Sequence, residues 1–391
     1  MVRILQIGAH LAPNLIGGAE VSAGEIGRQL TRAGLRVLGF SSSVNNERKS
    51  PRVLYTGSLH RVTAATRLRG LSKYAYYLLE QVNIWPAVKV YLLIRRAKID
   101  IAIVHSWRGL GEWLPVAVML SGKPAIFILH DFSFVCLNKG ARRRGKNCEK
   151  QCVDCKLSSR FRIALAQSRQ GICLVAPSEA HAESVRKLSG ASLQTLVIHN
   201  PNVYLIKSRA RVPAEQLKFG YVGRLEEDKG FGTFLSLARK FSGKADFVVA
   251  GEGAMTAEAV AAAAAGQIRY LGQVPQSEMS EVYDQLDVLV VPSKWRENFP
   301  GVCVQAAMSG LPIIGSVIGG IPEIVTDHKT GRLIAPNDTD GWESAVEEFV
   351  SNRELVATYS RNALLDGDRF DPVKNMSKYR DLVLQMAEAA R

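Results

Sequence analysis

The sequence predicts an α/β protein built from two units, each a parallel sheet of buried strands joined by crossover helices. Three observations support this prediction. Short apolar runs alternate with helix-period stretches along most of the chain. The same alternation occurs once in each half of the sequence. The chain has 391 residues, which is long for one hydrophobic core and favours two domains.

In the first half, the apolar runs are bounded by polar residues, Gly or Pro, as is typical of strands buried on both faces. The expected strands are Ile4–Ile7, Val37–Phe40, Ile101–Val104, Ala125–Leu129 and Leu174–Val175. A helix is expected over Ala19–Arg32, directly after Gly17 and Gly18. Glycines let the backbone approach a ligand closely, and a helix N-terminus favours a phosphate. The spacing is not GxGxxG, which argues against a dinucleotide cofactor.

The second half repeats the scheme. The expected strands are Lys218–Val222, Phe247–Ala250, Ile268–Leu271, Val288–Val291 and Pro312–Ile314. The expected helices are Gly232–Phe241, Met255–Ala265, Gln276–Gln285 and Val302–Met308. Strands that alternate with helices in this way form a parallel sheet.

A polar, basic stretch with two prolines, residues 199–216, marks the expected domain boundary. We expect a first domain over residues 1–203 and a second over residues 204–370. The C-terminal segment 371–391 contains a helix, Asp371–Ala390, that is expected to pack back on the first domain. Ligands of doubly wound, Rossmann-like sheets bind beyond the carboxyl ends of the strands. The predicted architecture is therefore two such domains facing a central cleft.

The charge of the chain is uneven. Its net charge is +14, with 29 Lys and Arg against 11 Asp and Glu in residues 1–200, and 21 against 25 in residues 201–391. A basic half indicates a negatively charged partner, such as nucleic acid, anionic lipid or a phosphorylated substrate. A well-solvated basic surface would give the same composition.

The location expected from the sequence is cytoplasmic. No apolar run approaches the length of a membrane helix, and the start, MVRILQIGAH, has the pattern of a buried strand and not of a signal peptide. Residues Arg61–Lys98 mix aromatic and basic side chains at helical spacing. This pattern is typical of a protein that binds peripherally to the anionic inner face of a membrane. It is equally typical of an ordinary pair of core helices.

Two loops after predicted strands carry candidate binding groups. The loop GRLEEDKG offers Arg224 and Lys229, which suit a diphosphate, although both could instead pair with the acids between them. The second loop begins the stretch PSKWRENFPGVCVQAAMSGLPII, which runs from Pro292 to Ile314. Glu297 lies in this loop and Gln305 about two turns into the following helix, so both could face one ligand.

The order and spacing of several motifs resemble the family-4 retaining glycosyltransferases of the GT-B fold. These motifs are GGAE, GRLxxxKG, VxAGEG, YLGQV, PS-x₃-E-x₇-Q, and SGLPII followed by GGIPEIV. The resemblance covers nearly the whole chain and is densest from about 218 to 334. It implies metal-independent transfer of a sugar from a UDP- or GDP-sugar to a glycan or lipid-linked acceptor, in the synthesis of cell-surface polysaccharides or glycoconjugates.

The resemblance also implies roles for individual residues. Arg224 and Lys229 match the pair that neutralises the donor diphosphate, and Glu297 matches the acid that hydrogen-bonds the donor sugar. His130, in ILHDF, matches the first-domain histidine near the transferred sugar and, with Glu297, forms the expected catalytic pair. The remaining donor-binding positions are Gly17, Gly18, Val274, Phe299, Gly301 and Val302.

Gln305 departs from the family pattern, which usually has a second Glu holding the ribose hydroxyls. A Gln keeps one acceptor oxygen and adds two donors, and its neutral contact is weaker by about 1–2 kcal/mol. This predicts weaker nucleotide binding and not an absent site, because Glu297, Arg224 and Lys229 are all present.

Four of the six cysteines fall within twenty residues, at Cys136, Cys148, Cys152 and Cys155. Disulfides are uncommon in the cytosol, and four thiolates in one loop suit a structural zinc ion. The C-x₃-C-x₂-C spacing also matches an iron–sulfur pattern, and four ordinary surface thiols would look the same in sequence. No cofactor is expected for catalysis itself.

Other functions remain open from the sequence. A nucleotide-sugar isomerase of the same fold would need further acid and base groups, and few are visible beyond His130. A non-catalytic nucleotide-sugar-binding protein has only Gln305 in its favour. No RRM, KH or helix-turn-helix signature is visible, so a nucleic-acid partner is not expected.

Overall fold

The protein divides into two compact units. The structure, a computed structural model, describes residues 1–11, 18–43, 52–57, 71–143, 145–201 and 206–390. Unit 1 comprises Met1–Asn202 together with Pro372–Arg391, and unit 2 comprises Val203–Asp371. Each unit is an α/β domain with its own parallel sheet and its own core.

Unit 1 contains a parallel sheet of the order β3-β2-β1-β4-β5-β8-β9 in its described part, and a short antiparallel hairpin, β6–β7. Its strands are β1 Arg3–Gly8, β2 Arg36–Ser43, β3 Val53–Gly57, β4 Ile101–Val104, β5 Ala125–Ile128, β6 Arg142–Arg143, β7 Lys146–Asn147, β8 Ile172–Ala176 and β9 Thr195–Val197. Its helices before the boundary are α1 Gly18–Arg32, α2 Leu71–Val82, α3 Trp85–Arg96, α4 Leu114–Leu120, α5 Val153–Ser168 and α6 Glu179–Ser189.

Both faces of the unit 1 sheet are buried, which explains why its strands are continuous apolar runs. Leu5 and Ile7 pack in one cluster, whereas Ile4, which precedes them, packs in the cluster on the other face. The pairing places Ile4 beside Ile101 of β4, and their side chains share that second cluster. Ligand-binding groups are expected just beyond the carboxyl ends of β1, β4 and β5.

Unit 2 contains a parallel sheet of the order β12-β11-β10-β13-β14-β15. Its strands are β10 Lys218–Val222, β11 Asp246–Ala250, β12 Arg269–Tyr270, β13 Val288–Val291, β14 Ile313–Ser316 and β15 Gly331–Ile334. Its helices are α7 Phe231–Lys240, α8 Thr256–Ala264, α9 Met279–Asp284, α10 Gly301–Met308, α11 Thr339–Ser351 and α12 Glu354–Gly367, and short 3₁₀ turns occupy Glu227–Lys229, Ile321–Glu323 and Asp368–Phe370.

The last helix, α13 (Pro372–Ala389), belongs to unit 1 although it follows unit 2 in sequence. Tyr379, Val383 and Ala387 are buried in the same cluster as Ile4 and Ile26 of unit 1. The hydroxyl of Tyr379 donates to the carbonyl oxygen of Ile198 at 3.2 Å. The helix expected over Asp371–Ala390 is thus present, and it covers the sheet of the first unit.

The predicted strands and helices are confirmed as elements, with differences at their ends. The strand expected over Ile268–Leu271 is only two residues long, because β12 is an edge strand that pairs with β11 alone. The helix expected to begin at Gln276 begins at Met279, since a turn at Pro275–Glu278 precedes it. Strands β3, β6, β7, β9 and β15 were not predicted. None of the described helices is long and apolar enough to cross a membrane.

Candidate functional site

The central feature of unit 2 is an ion pair between Lys229 and Glu297. Lys229 closes the 3₁₀ turn after β10, and Glu297 lies in the loop after β13, the neighbouring strand. The Lys229 Nζ lies 2.7 Å from the Glu297 Oε1, and it also lies 5.4 Å from the centre of the Trp295 ring. The two loops meet because the carboxyl ends of β10 and β13 lie side by side. The pair therefore lies at the carboxyl ends of these strands, where a ligand is expected.

Backbone contacts fix these two loops to each other. The amides of Lys294 and Trp295 donate to the Asp228 carbonyl oxygen at 2.9 and 3.1 Å. Gly230 has a φ of +76°, and a Cβ there would stand 1.7 Å from the carbonyl oxygen of Pro292. Only glycine fits this close, left-handed approach. Gly230, the last residue of the GRLEEDKG motif, thus allows the loop after β10 to pack against the loop after β13.

Glu297 is buried and held by its own surroundings. The Ser293 hydroxyl donates to the Glu297 Oε1 at 2.9 Å, and the amide of Gly320 donates to the Glu297 carbonyl oxygen at 2.7 Å. Gly319 has a φ of +57°, and a Cβ there would lie 2.0 Å from that carbonyl. Burial, with the Glu297 charge as a second cause, raises the pKa of the nearby Tyr221 hydroxyl. The carboxylate is therefore fixed in position and contacted by one cation.

The structure pairs Lys229 with Glu297 and not with the acids next to it in sequence. Lys294, from the loop after β13, forms the ion pair with Glu227 at 2.6 Å. Arg224 is exposed, and its carbonyl oxygen accepts the Tyr221 hydroxyl at 2.7 Å. The arrangement leaves the guanidinium at the surface, where it can reach a ligand. The structure thus disfavours the alternative of a surface turn whose Lys229 pairs with its local acids.

Helix α10 begins beside this pair and carries Gln305. Its N-cap is Pro300, which makes no side-chain cap, and the amide of Cys303 donates to the Pro300 carbonyl oxygen at 3.0 Å, so the amides of Gly301 and Val302 are left for other acceptors. Gly301 and Val302 form the first turn, and Phe299, just before it, is buried against the core. Gln305 is buried, and its Oε1 accepts from the Gln276 Nε2 at 3.5 Å. Gln305 is thus held at the carboxyl-end side of the sheet by the segment that precedes α9.

Val274 lies in the loop after β12, partly buried against the same core cluster as Phe299. The loop after β11 is joined to the loop after β12, because the amide of Gly251 donates to the Gly272 carbonyl oxygen at 2.7 Å. In unit 1, Gly18 is the exposed first residue of α1. Gly17 lies outside the described residues. The roles assigned to all of these positions stay predictions.

In unit 1, His130 follows β5 and contacts a second histidine. The His130 Nε2 lies 3.1 Å from the Nδ1 of His105, which follows β4, and the two rings stack with centres 5.3 Å apart. The other ring nitrogen of His105 lies 2.9 Å from the Gln6 Nε2, and that amide also donates to the Ala23 carbonyl oxygen at 2.7 Å. A chain of hydrogen bonds therefore runs from β1 to His130.

This chain defines the state of both rings. Since the Gln6 amide can only donate, His105 accepts at Nε2, carries its proton on Nδ1 and donates it to His130. The Nδ1 of His130 then carries the other proton. Burial lowers the pKa of His130 to about 4, against an opposing effect of Asp131. Burial, then His130, lowers the pKa of His105. Both rings are therefore neutral near pH 7.

Three residues near the groups described above were not predicted from the sequence: His10 and His105 in unit 1, and Ser293 in unit 2. His105 follows β4 just as His130 follows β5, and this equivalent position was the available signal. Ser293 is part of the PS-x₃-E motif but was given no role. His10 follows β1 and is buried, and its ring nitrogens make no hydrogen bond within the described chain. A buried polar group without a partner is unusual, which marks His10 as a candidate ligand contact.

The four clustered cysteines lie after β5 and at the start of α5. The sulfurs of Cys136 and Cys155 are 3.8 Å apart, and Cys148 and Cys152 pack partly buried against the same core. Within the described residues, no group of three or more His, Cys, Asp or Glu side chains is placed to hold a metal ion. The arrangement as it stands therefore does not complete the predicted zinc site, and zinc binding stays a prediction.

Comparison with known proteins shows the family. Residues 205–365 match the model of the glycosyl transferases group 1, and residues 16–201 match the model of glycosyltransferase family 4. Together the two models account for nearly all of the chain. It belongs to the family-4-type glycosyltransferases with the GT-B fold, and is therefore a glycosyltransferase.

Individual relatives are distant. The chain is 24% identical to a D-inositol 3-phosphate glycosyltransferase of Catenulispora acidiphila, over 90% of this chain and 86% of the relative. It is 24% identical to an uncharacterized 42.6 kDa protein in the cps region of Klebsiella pneumoniae, over 83% of this chain and 87% of the relative. The structure of Anabaena HepE in complex with UDP aligns with a TM-score of 0.71 and 17% identity, over 97% of this chain and 99% of that protein. This likeness shows the shared fold.

Proposed function

We propose that the protein transfers a sugar from a UDP- or GDP-sugar to a glycan or lipid-linked acceptor, with retention at the anomeric carbon and without a metal ion. The observation that supports this most is the Lys229–Glu297 pair at the carboxyl ends of β10 and β13. It places one cation and one fixed carboxylate side by side, as a sugar diphosphate requires. The match to the glycosyltransferase models supports the same reaction class.

The positive groups of unit 2 would stabilise the departing diphosphate. Lys229 supplies a point charge, the exposed Arg224 supplies a forked donor, and the uncapped start of α10 supplies backbone amides. Pre-positioned donors of this kind stabilise developing negative charge without reorganisation at the moment of reaction. This set supports leaving-group stabilisation by protein groups alone.

Glu297 and His130 would contact the transferred sugar. Glu297 is held by Ser293 and Lys229, so its carboxylate orients hydroxyl groups of the donor and does not act as a nucleophile. His130 is neutral and carries a proton on Nδ1 because its Nε2 accepts from His105. A neutral imidazole with a fixed tautomer can donate a hydrogen bond to a sugar hydroxyl. The Gln6–His105 chain thus orients His130.

The nucleotide can be identified by thermal melting with UDP, GDP, ADP and CMP. We expect UDP or GDP to stabilise the protein by about 2.7 kcal/mol when present at 100 times its dissociation constant. Gln305→Glu is expected to bind the same nucleotide about 5- to 30-fold more tightly, because a carboxylate accepts both ribose hydroxyls in charge-assisted bonds. UDP is the first candidate, since HepE binds UDP in a related fold.

The matched control for this experiment is Gln267→Glu. Gln267 precedes β12, at the amino end of that strand, and should leave nucleotide affinity unchanged. Equal affinity of the Gln305→Glu protein and the unaltered protein would show that position 305 does not touch the ribose. No stabilisation by any nucleotide at millimolar concentration would contradict the proposed function.

The acceptor side of the proposal rests on an exposed surface of unit 1. Helices α2 and α3 expose a set of large apolar side chains, with Trp85 70% and Leu78 66% exposed. The other members of this apolar surface are Leu79, Val82, Ile84, Val88, Tyr91 and Leu92. Lys89, Arg95 and Arg96 are exposed on the same helix as Trp85. Apolar and basic groups together suit an anionic lipid surface, which is where a lipid-linked acceptor for cell-surface polysaccharide would be met.

Vesicle flotation tests the membrane surface. The protein should float with vesicles rich in anionic lipid at low salt, and the double variant Leu78→Ser/Trp85→Ser should remain in the soluble fraction. Leu365→Ser, which removes an equally exposed apolar side chain from unit 2, should float like the unaltered protein. Equal flotation on neutral and anionic vesicles, or none on either, would argue against this surface.

A further inference from the structure

The cysteine segment, residues 132–155, contains four thiols that the proposed transfer reaction does not use. It follows β5 and His130, includes the β6–β7 hairpin and ends in the first turn of α5. Two of its cysteines, Cys136 and Cys155, are buried, although 19 positions separate them in sequence. The segment folds back so that both sulfurs meet under the core of unit 1.

The distance between the two buried sulfurs suits two ligands of one metal ion. The Cys136 and Cys155 sulfurs are 3.8 Å apart. Tetrahedral zinc with Zn–S bonds of about 2.3 Å places any two of its sulfur ligands about 3.8 Å apart. A disulfide would need about 2.05 Å. The distance between the two sulfurs thus matches that between two zinc ligands and not that of a disulfide bond.

Backbone amides point at both sulfurs. The amide of Leu137 lies 3.4 Å from the Cys155 sulfur. The backbone amides of Asn138, Lys139 and Ala141 are hydrogen-bond donors to the Cys136 sulfur. Donors of this kind favour a thiolate over a thiol. A thiolate is the form that binds metal.

The other two cysteines pack against the core cluster that contains this pair. Cys152 is the N-cap of α5 and makes no side-chain cap, and Cys155 is the third residue of that helix. The side chains of Cys152 and Cys155 are joined by a hydrogen bond. Cys148 follows the hairpin, and its amide donates to the Ala141 carbonyl oxygen at 2.7 Å. Both Cys148 and Cys152 contact the cluster that contains the buried pair.

We propose that Cys136, Cys148, Cys152 and Cys155 bind one structural zinc ion. Cys136 and Cys155 have the spacing of two ligands. Cys148 and Cys152 pack against the same cluster, and their side chains would turn toward the ion to complete the site. The four thiols release their protons as the four Zn–S bonds form, and no electron transfer takes place. The ion would tie the segment after His130 to helix α5.

Metal analysis of the full-length protein, purified under reducing conditions without oxygen, tests this proposal. We expect about one equivalent of zinc per chain. Cys152→Ser should lower the zinc content at least fivefold. Cys173→Ser, which alters a partly buried thiol of β8, should keep the full zinc content. A strong zinc chelator should lower the melting temperature of the unaltered protein and not that of Cys152→Ser.

A titration of the unaltered protein keeps the test independent of whether the variants fold. A mercurial that blocks thiols should release the zinc as the clustered cysteines react, and a colorimetric zinc indicator should record it. The proposal is wrong if the protein holds under about 0.3 equivalents of zinc and reduced, metal-free protein gains no thermal stability from added zinc. Iron in place of zinc, or a disulfide between these cysteines in the purified protein, would also overturn it.

Discussion

Replacing Lys229 with methionine is expected to weaken the binding of a nucleoside diphosphate by about 10- to 150-fold. Lys229 is half-buried, and Glu297 and Trp295 hold its ammonium group at the carboxyl end of β10. A hydrogen bond to a charged group contributes about 1.5–3 kcal/mol, and its loss falls on the diphosphate. Binding of the nucleoside monophosphate should change much less. Calorimetric titration with both ligands measures the difference.

The same change should lower the turnover of the donor sugar by about 100- to 1,000-fold, because Lys229 would stabilise charge that develops on the leaving group. The control is Lys294→Met, which removes the neighbouring Lys294–Glu227 ion pair at 2.6 Å. Exposed pairs of that kind contribute little, so its affinity and turnover should stay within about twofold. Equal losses for the diphosphate and the monophosphate would show that Lys229 does not contact the diphosphate.

The partner of Lys229 illustrates what the sequence could predict. The motif GRLEEDKG indicated a cation after a buried strand, and the strand β10 is where it was expected. Three acids adjacent in sequence made local pairing equally plausible. The structure pairs Lys229 with Glu297, 68 positions away, because β10 and β13 are neighbours in the sheet. Strand order depends on long-range packing, which local patterns do not carry.

The sheet interiors were easier to predict than the edges. Central strands such as β4 and β13 are buried on both faces and appear in the sequence as uninterrupted apolar runs. Edge strand β12 pairs on one side only, so two residues suffice for it. Among the residues that the structure describes, strand β3 pairs only with β2, and its segment VLYTG has three apolar residues before Thr56 and Gly57. Strand β3 therefore lacked the signal that identified the interior strands, and β12 was predicted two residues too long.

Buried charges were the least predictable part of unit 1. Arg162 occupies α5, whose sequence shows no sharp division into apolar and polar faces, and its side chain is only 1% exposed. Its partner Glu112 lies 50 positions earlier, in the loop after β4. Lys139, also buried, stands 3.6 Å from the same carboxylate. A charged residue in sequence normally indicates a surface position, so these residues were not expected in a core.

Arg162→Met is expected to destabilise unit 1 by about 3–5 kcal/mol. The guanidinium donates to the Glu112 Oε2 at 2.9 Å and to the carbonyl oxygens of Phe134, Ser133 and Ser158 at 2.8, 3.0 and 2.9 Å. Methionine fills much of the space but leaves these acceptors without a donor in a buried site. Burial lowers the pKa of Arg162, and the Glu112 charge opposes this.

Calorimetry should show the loss as a fall of about 6–20 °C in the melting temperature of unit 1. Arg160→Met is the matched control, because Arg160 lies two residues earlier in the same helix and is exposed. Arg162→Met/Glu112→Gln should lose less stability than the two single changes added together, since each single change removes the partner of the charge that remains. Additive losses, or a loss under about 1 kcal/mol for Arg162→Met, would mean that the pair is not coupled. Since Arg162 binds the backbone of Ser133 and Phe134, just after His130, the same variant should also reduce turnover at temperatures below its melting point.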